Sequence, residues 1–243
     1  QSSPSVYPYS ARALKNNTIG GNSWSHTGQW IEWEVTVPED GLYEISIKGR
    51  QNYQRGFVSN RAVYIDGVIP FKEVSAIPFK YDNAWEMLTL SDAEGNPYQF
   101  ALTAGTHTVR LEVTLGELGA ILNDMEDSVF RLNQMYRKIL VLTGTEPDEF
   151  RDYQLAKVYP EVIEAMGLES KRLYRMVDEI VEYSGQKASQ IASAQTLATQ
   201  LERFVKDPDR IPKTLANFKE NISSLGTSIQ TLSEAPLDID YIV

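Results

Sequence analysis

Cysteine is absent from the 243 residues, and histidine occurs only twice, as His26 and His107. Without cysteine there can be no disulfide, no thiolate metal site and no cysteine nucleophile. Two histidines cannot form a three-histidine metal site, and the sequence has no Gly-x-Ser-x-Gly, phosphate-binding glycine loop or His-Glu-x-x-His motif. We therefore expect a protein that is not an enzyme and that binds no transition metal.

Basic residues are outnumbered, with 23 Lys and Arg against 33 Asp and Glu and a formal net charge of -10. Nucleic-acid binding requires a concentrated basic surface, so we expect no nucleic-acid partner. The sequence also lacks a run of about 18 apolar residues, which predicts no membrane insertion by this segment. It begins at Gln1 and ends within a strand pattern, which predicts a fragment of a larger protein.

Up to about residue 118, apolar residues recur at every second position, as they do in half-buried strands. Residues 31–37 and 107–115 both show this alternation, which puts His107 on the apolar face as a core histidine. Between strand patterns, Pro38-Glu39-Asp40-Gly41 predicts a chain reversal and a hairpin. Several short strands separated by Gly, Pro and Asn loops predict an antiparallel β-sandwich of the jelly-roll type.

Beyond residue 118 the apolar spacing changes to three and four, which is typical of amphipathic helices. Leu118, Leu122, Met125 and Leu132 follow this spacing along the first of them. The predicted helices are, in order, 118–143, 145–160, 168–206 and 212–232, with a break at Pro160 and either a continuous course or a kink at Gly185. Four helices joined by short loops predict an antiparallel four-helix bundle.

The last seven residues, Leu237-Asp238-Ile239-Asp240-Tyr241-Ile242-Val243, return to the strand period after the helices. An isolated strand is not stable in water, so this one must pair with a sheet formed by the first half of the chain. The sequence therefore predicts a β-sandwich formed by residues 1–118 plus 235–243. A helical bundle, residues 119–234, is inserted before the last strand.

Four segments resemble family-6 and family-35 type carbohydrate-binding modules, which are galactose-binding-like jelly rolls. They are GQWIEWEVTVPEDGLY at 28–43, NRAVYIDG at 60–67, LTAGTHTVRL at 102–111 and LDIDYI at 237–242. In such modules the last segment normally follows the third after a short loop, and here the helices occupy that loop. The combination is similar to large Gram-positive extracellular solute-binding proteins of sugar transport.

This resemblance implies a non-catalytic, carbohydrate-binding-like module of an extracellular or cell-surface protein from a Gram-positive bacterium. Its partner would be an oligosaccharide or polysaccharide. Related modules often begin with Tyr-Glu-Ala-Glu, whose glutamates help to hold a structural calcium ion. The corresponding residues are Tyr9-Ser10-Ala11-Arg12, and because Arg12 would repel a cation, we expect no cofactor there.

The candidate sugar-binding residues are aromatic, amide and guanidinium side chains in predicted loops. Sugars present apolar C–H faces and many hydroxyls, so a site needs a flat ring beside directional hydrogen-bonding groups. We predict stacking by the rings of Trp24, Tyr53 and Trp85 and hydrogen bonding by Asn52, Arg55 and Asn83. Trp85 has a second interpretation, in which its ring caps the sandwich and contacts no ligand.

Two other hypotheses accompany this one. In the first, the jelly roll is a scaffold and the bundle is a spacer or docks another protein. Residues 186–200 carry a single charge and many small side chains, so this helix is either buried within the bundle or is an interface with a partner. In the second, Asp238 and Asp240 would be a catalytic acid and base, although a hydrogen-bonded strand face is the simpler interpretation.

Overall fold

The computed structural model of the protein describes residues 2–13, 15–148, 150–185 and 189–243. The chain divides into two compact units. The first contains Gln1–Glu117 and Ser233–Val243, and the second contains Leu118–Leu232. The first unit is built of antiparallel sheets and the second of helices.

Ten strands form the sheets of the first unit within the described residues. A first four-stranded sheet has the order β1-β10-β4-β7, a second has the order β2-β9-β5-β6, and β3 pairs with β8. All named strand pairs are antiparallel. The strands are β1 (Ile19–Gly21), β2 (Trp30–Val37), β3 (Gly41–Tyr43), β4 (Ser46–Arg50), β5 (Val58–Ile65), β6 (Ile77–Lys80), β7 (Glu86–Thr89), β8 (Phe100–Leu102), β9 (Gly105–Thr114) and β10 (Leu237–Ile242).

Both four-stranded sheets contribute to one hydrophobic core. Ile47, Leu237 and Ile239 come from the first sheet, and Val63 and Leu111 come from the second. All five side chains are fully or almost fully buried. In these strands the alternating apolar residues face the core, as the sequence predicts.

The predicted hairpin at Pro38–Gly41 does not form. Instead of pairing with each other, β2 pairs with β9 and β3 pairs with β8. The chain bends at residues 38–40, and Tyr43 Oη donates a 2.7 Å hydrogen bond to the carbonyl of Glu39. The turn residues do produce a bend, but the predicted reversal is wrong, because the pairing of β3 with β8 continues the pairing of β2 with β9 in the same direction.

Strand β10 pairs with β1 on one side and with β4 on the other, so the predicted pairing of the last residues with the early sheet is confirmed. The register shifts between Ile239 and Tyr241, which is a β-bulge. The bulge changes the face that later residues present, because one extra residue inverts the alternation. Ile242 therefore packs against the core, whereas Tyr241 is exposed, opposite to the faces predicted for them.

In the described residues of the second unit, four long helices are joined by shorter segments. The helices are α1 (Glu117–Thr143), α2 (Leu155–Val158), α3 (Pro160–Ser184), α4 (Ala192–Lys206), α5 (Arg210–Lys213) and α6 (Leu215–Leu232). The predicted seam of α1 is buried as expected. None of the helices in the described ranges is both long and apolar enough to cross a membrane.

The predicted second helix is wrong, and so is the role assigned to Pro160. This proline begins α3 and does not break a helix, because the missing N–H costs nothing in the first helical turn. Gly185 ends α3 in a left-handed conformation, with φ of 71°, so the predicted third helix divides into α3 and α4. Within the predicted interface 186–200, the first three residues lie outside the described residues, and Ile191, Ala194, Leu197 and Ala198 are buried.

Candidate functional site

The loop that follows β4 is organised by the side chain of Gln51, which is buried. Its Nε2 donates to the carbonyls of Gln54 and Phe57, both at 3.1 Å. Its Oε1 accepts from the backbone N–H of Tyr53 at 3.0 Å and of Gln54 at 3.1 Å. Four hydrogen bonds from one amide side chain close the loop on itself, so the backbone of Tyr53 and Gln54 is held before any ligand binds.

The segment 81–85 is attached to the same glutamine. The N–H of Asp82 donates to the carbonyl of Gln51 at 2.9 Å, and Tyr81 forms a parallel bridge with Gln51. Asp82 Oδ1 accepts from the N–H of Ala84 at 2.7 Å, which shapes the turn that precedes Trp85. The two predicted binding loops therefore lie side by side.

Asp238 in β10 connects these loops to the sheet. This residue is only 2% exposed, and both its carboxylate oxygens are used. Arg50 donates to Oδ2 and Tyr53 Oη donates to Oδ1, both at 2.9 Å. A buried carboxylate needs such partners, because an unpaired one would cost several kcal/mol. We call Arg50, Tyr53, Trp85 and Asp238 the Asp238 cluster.

Trp85 joins the cluster through Arg50. The guanidinium carbon of Arg50 lies 4.7 Å from the centroid of the indole ring, which is cation–π geometry. Trp85 is partly buried, and neither its Nε1 nor the Nε of Arg50 has a hydrogen-bond partner among the described residues. One face of the indole ring therefore packs against Arg50, as expected if Trp85 caps the sandwich. Its Nε1–H has no hydrogen-bond acceptor among the described residues.

The hydroxyl of Tyr53 is held in its neutral form. Burial, followed by the hydrogen bond to Asp238, raises the pKa of Tyr53 to about 12. Tyr53 is nevertheless 38% exposed, so part of its ring reaches solvent. At neutral pH the phenol acts as a hydrogen-bond donor to Asp238 and its ring remains accessible for stacking.

A cavity of about 510 Å³ opens beside the cluster, between β4, β6 and β7. Arg50 belongs both to the Asp238 cluster and to the wall of this cavity. The apolar part of the wall includes Phe79 and Leu88, and the polar part includes Gln51, Asp82 and Glu86. An apolar surface flanked by a few directional polar groups is the composition that small-molecule sites share.

The six predicted site residues do not all lie together. Tyr53 and Trp85 are brought to the same cluster, and Asn83 lies in the adjacent turn, where it accepts a 3.1 Å hydrogen bond from Tyr81 Oη. Asn52 and Arg55 lie in the loop closed by Gln51, with Arg55 exposed. This arrangement is compatible with a single surface that contains five of the six.

Trp24 is the exception, and the structure corrects its predicted role. It is 3% exposed and belongs to the hydrophobic core. Its Nε1 donates to the carbonyl of Gln29 at 3.1 Å, and the guanidinium of Arg61 covers its ring. The Asn-Ser-Trp sequence predicts a binding loop, but burying the large apolar area of an indole is favourable, and here the ring is buried in the core.

Sequence reasoning missed Arg50 and Asp238 as members of the cluster. Arg50 could have been included, because it is the first residue of a loop rich in aromatic and amide side chains. Asp238 carried a weaker signal, since an acidic residue in a strand is usually solvated, and only the pairing of β10 with β4 brings it to Arg50.

The structure also places the remaining acidic candidates. Asp240 pairs with Lys48 at 2.8 Å, so each carboxylate of the Asp-Ile-Asp sequence has its own basic partner. Within the described ranges, no group of three or more His, Asp or Glu side chains lies close enough to hold a metal ion. Residues 11–13 form bends stabilised by Ser10, whose Oγ accepts from the N–H of Arg12 and of Ala13.

His107 lies at the end of the apolar face of β9. Its side chain is mostly covered, with hydrogen bonds to Asp66 Oδ2 at 2.6 Å and to the carbonyl of Thr103 at 2.8 Å. The predicted hydrogen bonding of this histidine is confirmed, but His107 is only partly buried, so the prediction that it lies in the core is wrong.

Comparison with known proteins gives matches to solved structures and, for the helical residues 120–235, to a family model. No curated protein matches the chain. A solved structure of the Paenibacillus cycloisomaltooligosaccharide glucanotransferase complexed with cycloisomaltoheptaose is similar, with 26% identity, a TM-score of 0.28, and coverage of 40% of this chain and 14% of that one. A family 35 carbohydrate binding module from an environmental isolate has 16% identity, a TM-score of 0.27, and coverage of 37% and 58%.

A family 35 carbohydrate binding module from Clostridium thermocellum has 17% identity and a TM-score of 0.30, with coverage of 41% of this chain and 78% of that one. The chain spans less than two thirds of the first two of these structures. Among family models, residues 120–235 match the bacterial solute-binding protein, 4-helix bundle domain. The comparisons thus find both families that the sequence resembles, carbohydrate-binding modules among the solved structures and the solute-binding protein bundle domain over residues 120–235.

Proposed function

We propose that this chain is a non-catalytic carbohydrate-binding module with an inserted helical domain, part of an extracellular solute-binding or cell-surface protein of a Gram-positive bacterium. In this proposal residues 1–118 plus 235–243 are a jelly roll, and residues 119–234 are an antiparallel four-helix bundle. The match of residues 120–235 to a domain of bacterial solute-binding proteins supports a role in solute capture.

The observation that carries the proposal is the Asp238 cluster. Two aromatic rings, Tyr53 and Trp85, lie around a guanidinium that also lines a cavity of about 510 Å³. Amide groups of Asn52 and Asn83 lie in the same two loops. Rings supply stacking on sugar C–H faces and the amides and guanidinium supply directional hydrogen bonds, so the chemistry suits an oligosaccharide or polysaccharide.

The geometry also explains how such a site would be rigid. Gln51 closes one loop and anchors the other, and Asp238 fixes Arg50 and Tyr53. A site that is ordered before binding loses less conformational entropy when a flexible sugar docks.

A glycan array with the full chain, followed by calorimetry on the best ligand, tests the proposal. Tyr53→Ala and Trp85→Ala should each weaken binding about fivefold or more, because each removes a stacking ring worth about 1 kcal/mol. Trp30→Ala is the matched control, since Trp30 is 52% exposed and forms a similar stack with Arg110, at 4.3 Å, on β2 of the other sheet. Full affinity in folded Tyr53→Ala and Trp85→Ala proteins would remove these residues from the site.

A second candidate function is a scaffold or protein-interaction module, with the bundle as spacer or docking element. One observation favours it. Arg50 and Tyr53 both donate hydrogen bonds to the buried carboxylate of Asp238, so they stabilise the fold even when no sugar is bound. The glycan array separates the two functions, because a scaffold has no reason to recognise sugars. An array without a single bound glycan would favour the scaffold.

A further inference from the structure

The helical unit contains a cavity of its own, between α4 and α6. Its volume is about 520 Å³, within the range of about 300–1,000 Å³ that is usual for ligand sites. The cavity lies within residues 120–235, and none of its side chains belongs to the Asp238 cluster.

Two polar contacts and one aromatic contact fix the walls of this cavity. Asn221 Nδ2 donates to Gln200 Oε1 at 2.9 Å, and Ser193 Oγ donates to Ser228 Oγ at 2.8 Å, so α4 and α6 are connected at two levels. Phe204, which belongs to the cavity wall, packs edge-to-face on Phe218 with 5.5 Å between ring centroids. The shape of the cavity is therefore determined by the packing of the two helices.

The lining has an unusual chemical composition. Among its described residues, Ala192 and Phe204 are apolar, and all the others carry an amide, hydroxyl or guanidinium group. None of these lining residues is acidic, in a chain with 33 acidic and 23 basic residues. The cavity is thus rich in neutral hydrogen-bonding groups and positively charged.

The positive charge comes from Arg203 and Arg210. Neither guanidinium takes part in a hydrogen bond or ion pair with the described residues, although the hydrogen bond from Lys206, and then the charge of Arg203, lower the pKa of Glu202. The side chains of Gln195, Thr196 and Asn217 likewise make no hydrogen bond within the described part of the chain. Five polar side chains therefore face one concave surface with their hydrogen-bonding capacity unused.

We infer that this cavity binds a sugar that carries an anionic group, a carboxylate or a phosphate. Arginine pairs with such groups through two parallel hydrogen bonds, and these charge-assisted bonds are roughly twice as strong as neutral ones. Amides and hydroxyls both donate and accept hydrogen bonds, which matches the hydroxyls of a sugar ring. No acidic side chain belongs to the lining, and Glu202, whose charge interacts with Arg203, lies outside it and pairs with Lys206.

Calorimetry on the full chain with glucuronate, glucose 6-phosphate, glucose and inorganic phosphate tests this inference. At least one of the two acidic sugars should bind about tenfold more tightly than glucose, and more tightly than inorganic phosphate. The tighter of the two acidic sugars identifies the anionic group. If neither acidic sugar binds, the inference is wrong, and if inorganic phosphate binds equally well, the cavity is a simple anion site and the sugar assignment is wrong.

Variants locate the site. The Arg203→Gln and Arg210→Gln changes should each weaken binding of the acidic sugar about tenfold, as expected for loss of a charge-assisted hydrogen bond worth about 1.5 kcal/mol. Asn217→Asp should weaken it similarly, because it adds a carboxylate of nearly the same shape. Arg137→Gln is the matched control, since Arg137 is an exposed arginine on α1 outside the cavity lining.

Arg203, Arg210 and Asn217 are all exposed, so these changes should leave the fold intact, and circular dichroism checks this. Equal affinity of the folded Arg203→Gln/Arg210→Gln protein and the unchanged chain would place binding elsewhere and overturn the inference. Because the ligands and the residues differ from those of the Asp238 cluster, either proposal can fail while the other stands.

Discussion

The guanidinium of Arg61 lies over the indole ring of Trp24, with 3.9 Å between its central carbon and the ring centroid. Both side chains are buried in the first unit. Arg61 has no acidic partner among the described residues, and it donates instead to the backbone carbonyls of Trp24 at 3.1 Å, Asn60 at 2.8 Å and Ala235 at 2.8 Å. Burial lowers the pKa of Arg61 to about 9.

We predict that Arg61→Met destabilises the protein by about 3 kcal/mol. The substitution keeps an apolar stem of similar length but removes three hydrogen bonds to backbone carbonyls, each worth about 1 kcal/mol. Urea unfolding of the first unit measures the loss. Arg55→Met is the control, because Arg55 is exposed and should change stability by less than about 0.5 kcal/mol. A similar loss in both variants would contradict the role given to Arg61.

A second prediction concerns pH. Both ring nitrogens of His107 face acceptors, Asp66 Oδ2 and the carbonyl of Thr103, so only the doubly protonated imidazolium can donate to both. The hydrogen bond that His107 donates to Asp66, and then the one to the carbonyl of Thr103, raise the pKa of His107. The hydrogen bonds from His107 and from the N–H of Thr108 lower the pKa of Asp66.

The sign follows from linkage. Because the folded-state pKa of His107 is raised, its contribution to stability is complete below the unfolded value of about 6.5 and is lost as pH rises through the folded value. Because the pKa of Asp66 is lowered, its contribution is complete above about 3.9 and is lost as pH falls through the folded value. Stability from this pair is therefore greatest between about pH 4 and pH 6.5.

Thermal unfolding across the pH range measures this effect. His107→Gln should reduce the fall in melting temperature between about pH 6 and about pH 9, since glutamine does not titrate. His26→Gln is the control, because it removes the other histidine without touching Asp66 or Thr103. An unchanged pH profile in His107→Gln would show that the pair contributes nothing to stability.

A third prediction concerns a buried carboxylate in the helical unit. Glu169 of α3 is 1% exposed and accepts hydrogen bonds from Arg131 and Arg172, whose side chains are 34% and 45% exposed. The arginines can regain water if the glutamate is removed, whereas the glutamate cannot if the arginines are removed. We therefore expect Arg131→Met/Arg172→Met to cost about 3–5 kcal/mol and Glu169→Met to cost clearly less.

Chemical denaturation of the three proteins checks this order. The reverse order, with Glu169→Met the more damaging change, would mean that packing around the glutamate outweighs the cost of an unpaired buried charge. Lys138→Met is the control, because Lys138 and Glu161 form an exposed pair at 3.4 Å that should contribute less than about 1 kcal/mol.

The sequence predicted those features that depend on periodicity and missed those that depend on contacts between distant residues. The seam from Leu118 to Ile139 and the return of the chain to a sheet at Leu237 follow from spacing alone. The bulge at Asp240 could not be predicted, because an alternating sequence does not show where the register with the partner strand shifts. Pro160 has two allowed roles, helix breaker and first helical residue, and sequence reasoning chose the wrong one.

The loops that form the candidate site could be predicted from the sequence, but the contacts between their side chains could not. Aromatic and amide residues in the segments around Tyr53 and Trp85 suggested both loops. Their meeting at Asp238 depends on a hydrogen bond between residues 185 positions apart in sequence. Burial of Trp24 depends in the same way on Arg61, 37 positions further along the chain.

The last prediction is that the first unit folds without the helices. The two ends of the insertion are held by one short loop: the carbonyl of Val113 accepts from the N–H of Gly28 at 3.0 Å, and the N–H of Ala235 donates to the carbonyl of Ser25 at 2.8 Å. The buried core of this unit is made of its own residues, so residues 1–117 joined to 235–243 by a linker of about six residues should fold.

Cooperative thermal unfolding and retained near-ultraviolet circular dichroism would show that the shortened chain is folded. Adding Ile239→Asp supplies the control, because Ile239 is fully buried in the core and an unpaired carboxylate there should abolish folding. A third protein that ends at residue 117 lacks β10, which lies between β1 and β4, and should not fold either. If the shortened chain behaves like these two controls, the sheet unit requires the helices, and the two units do not fold independently.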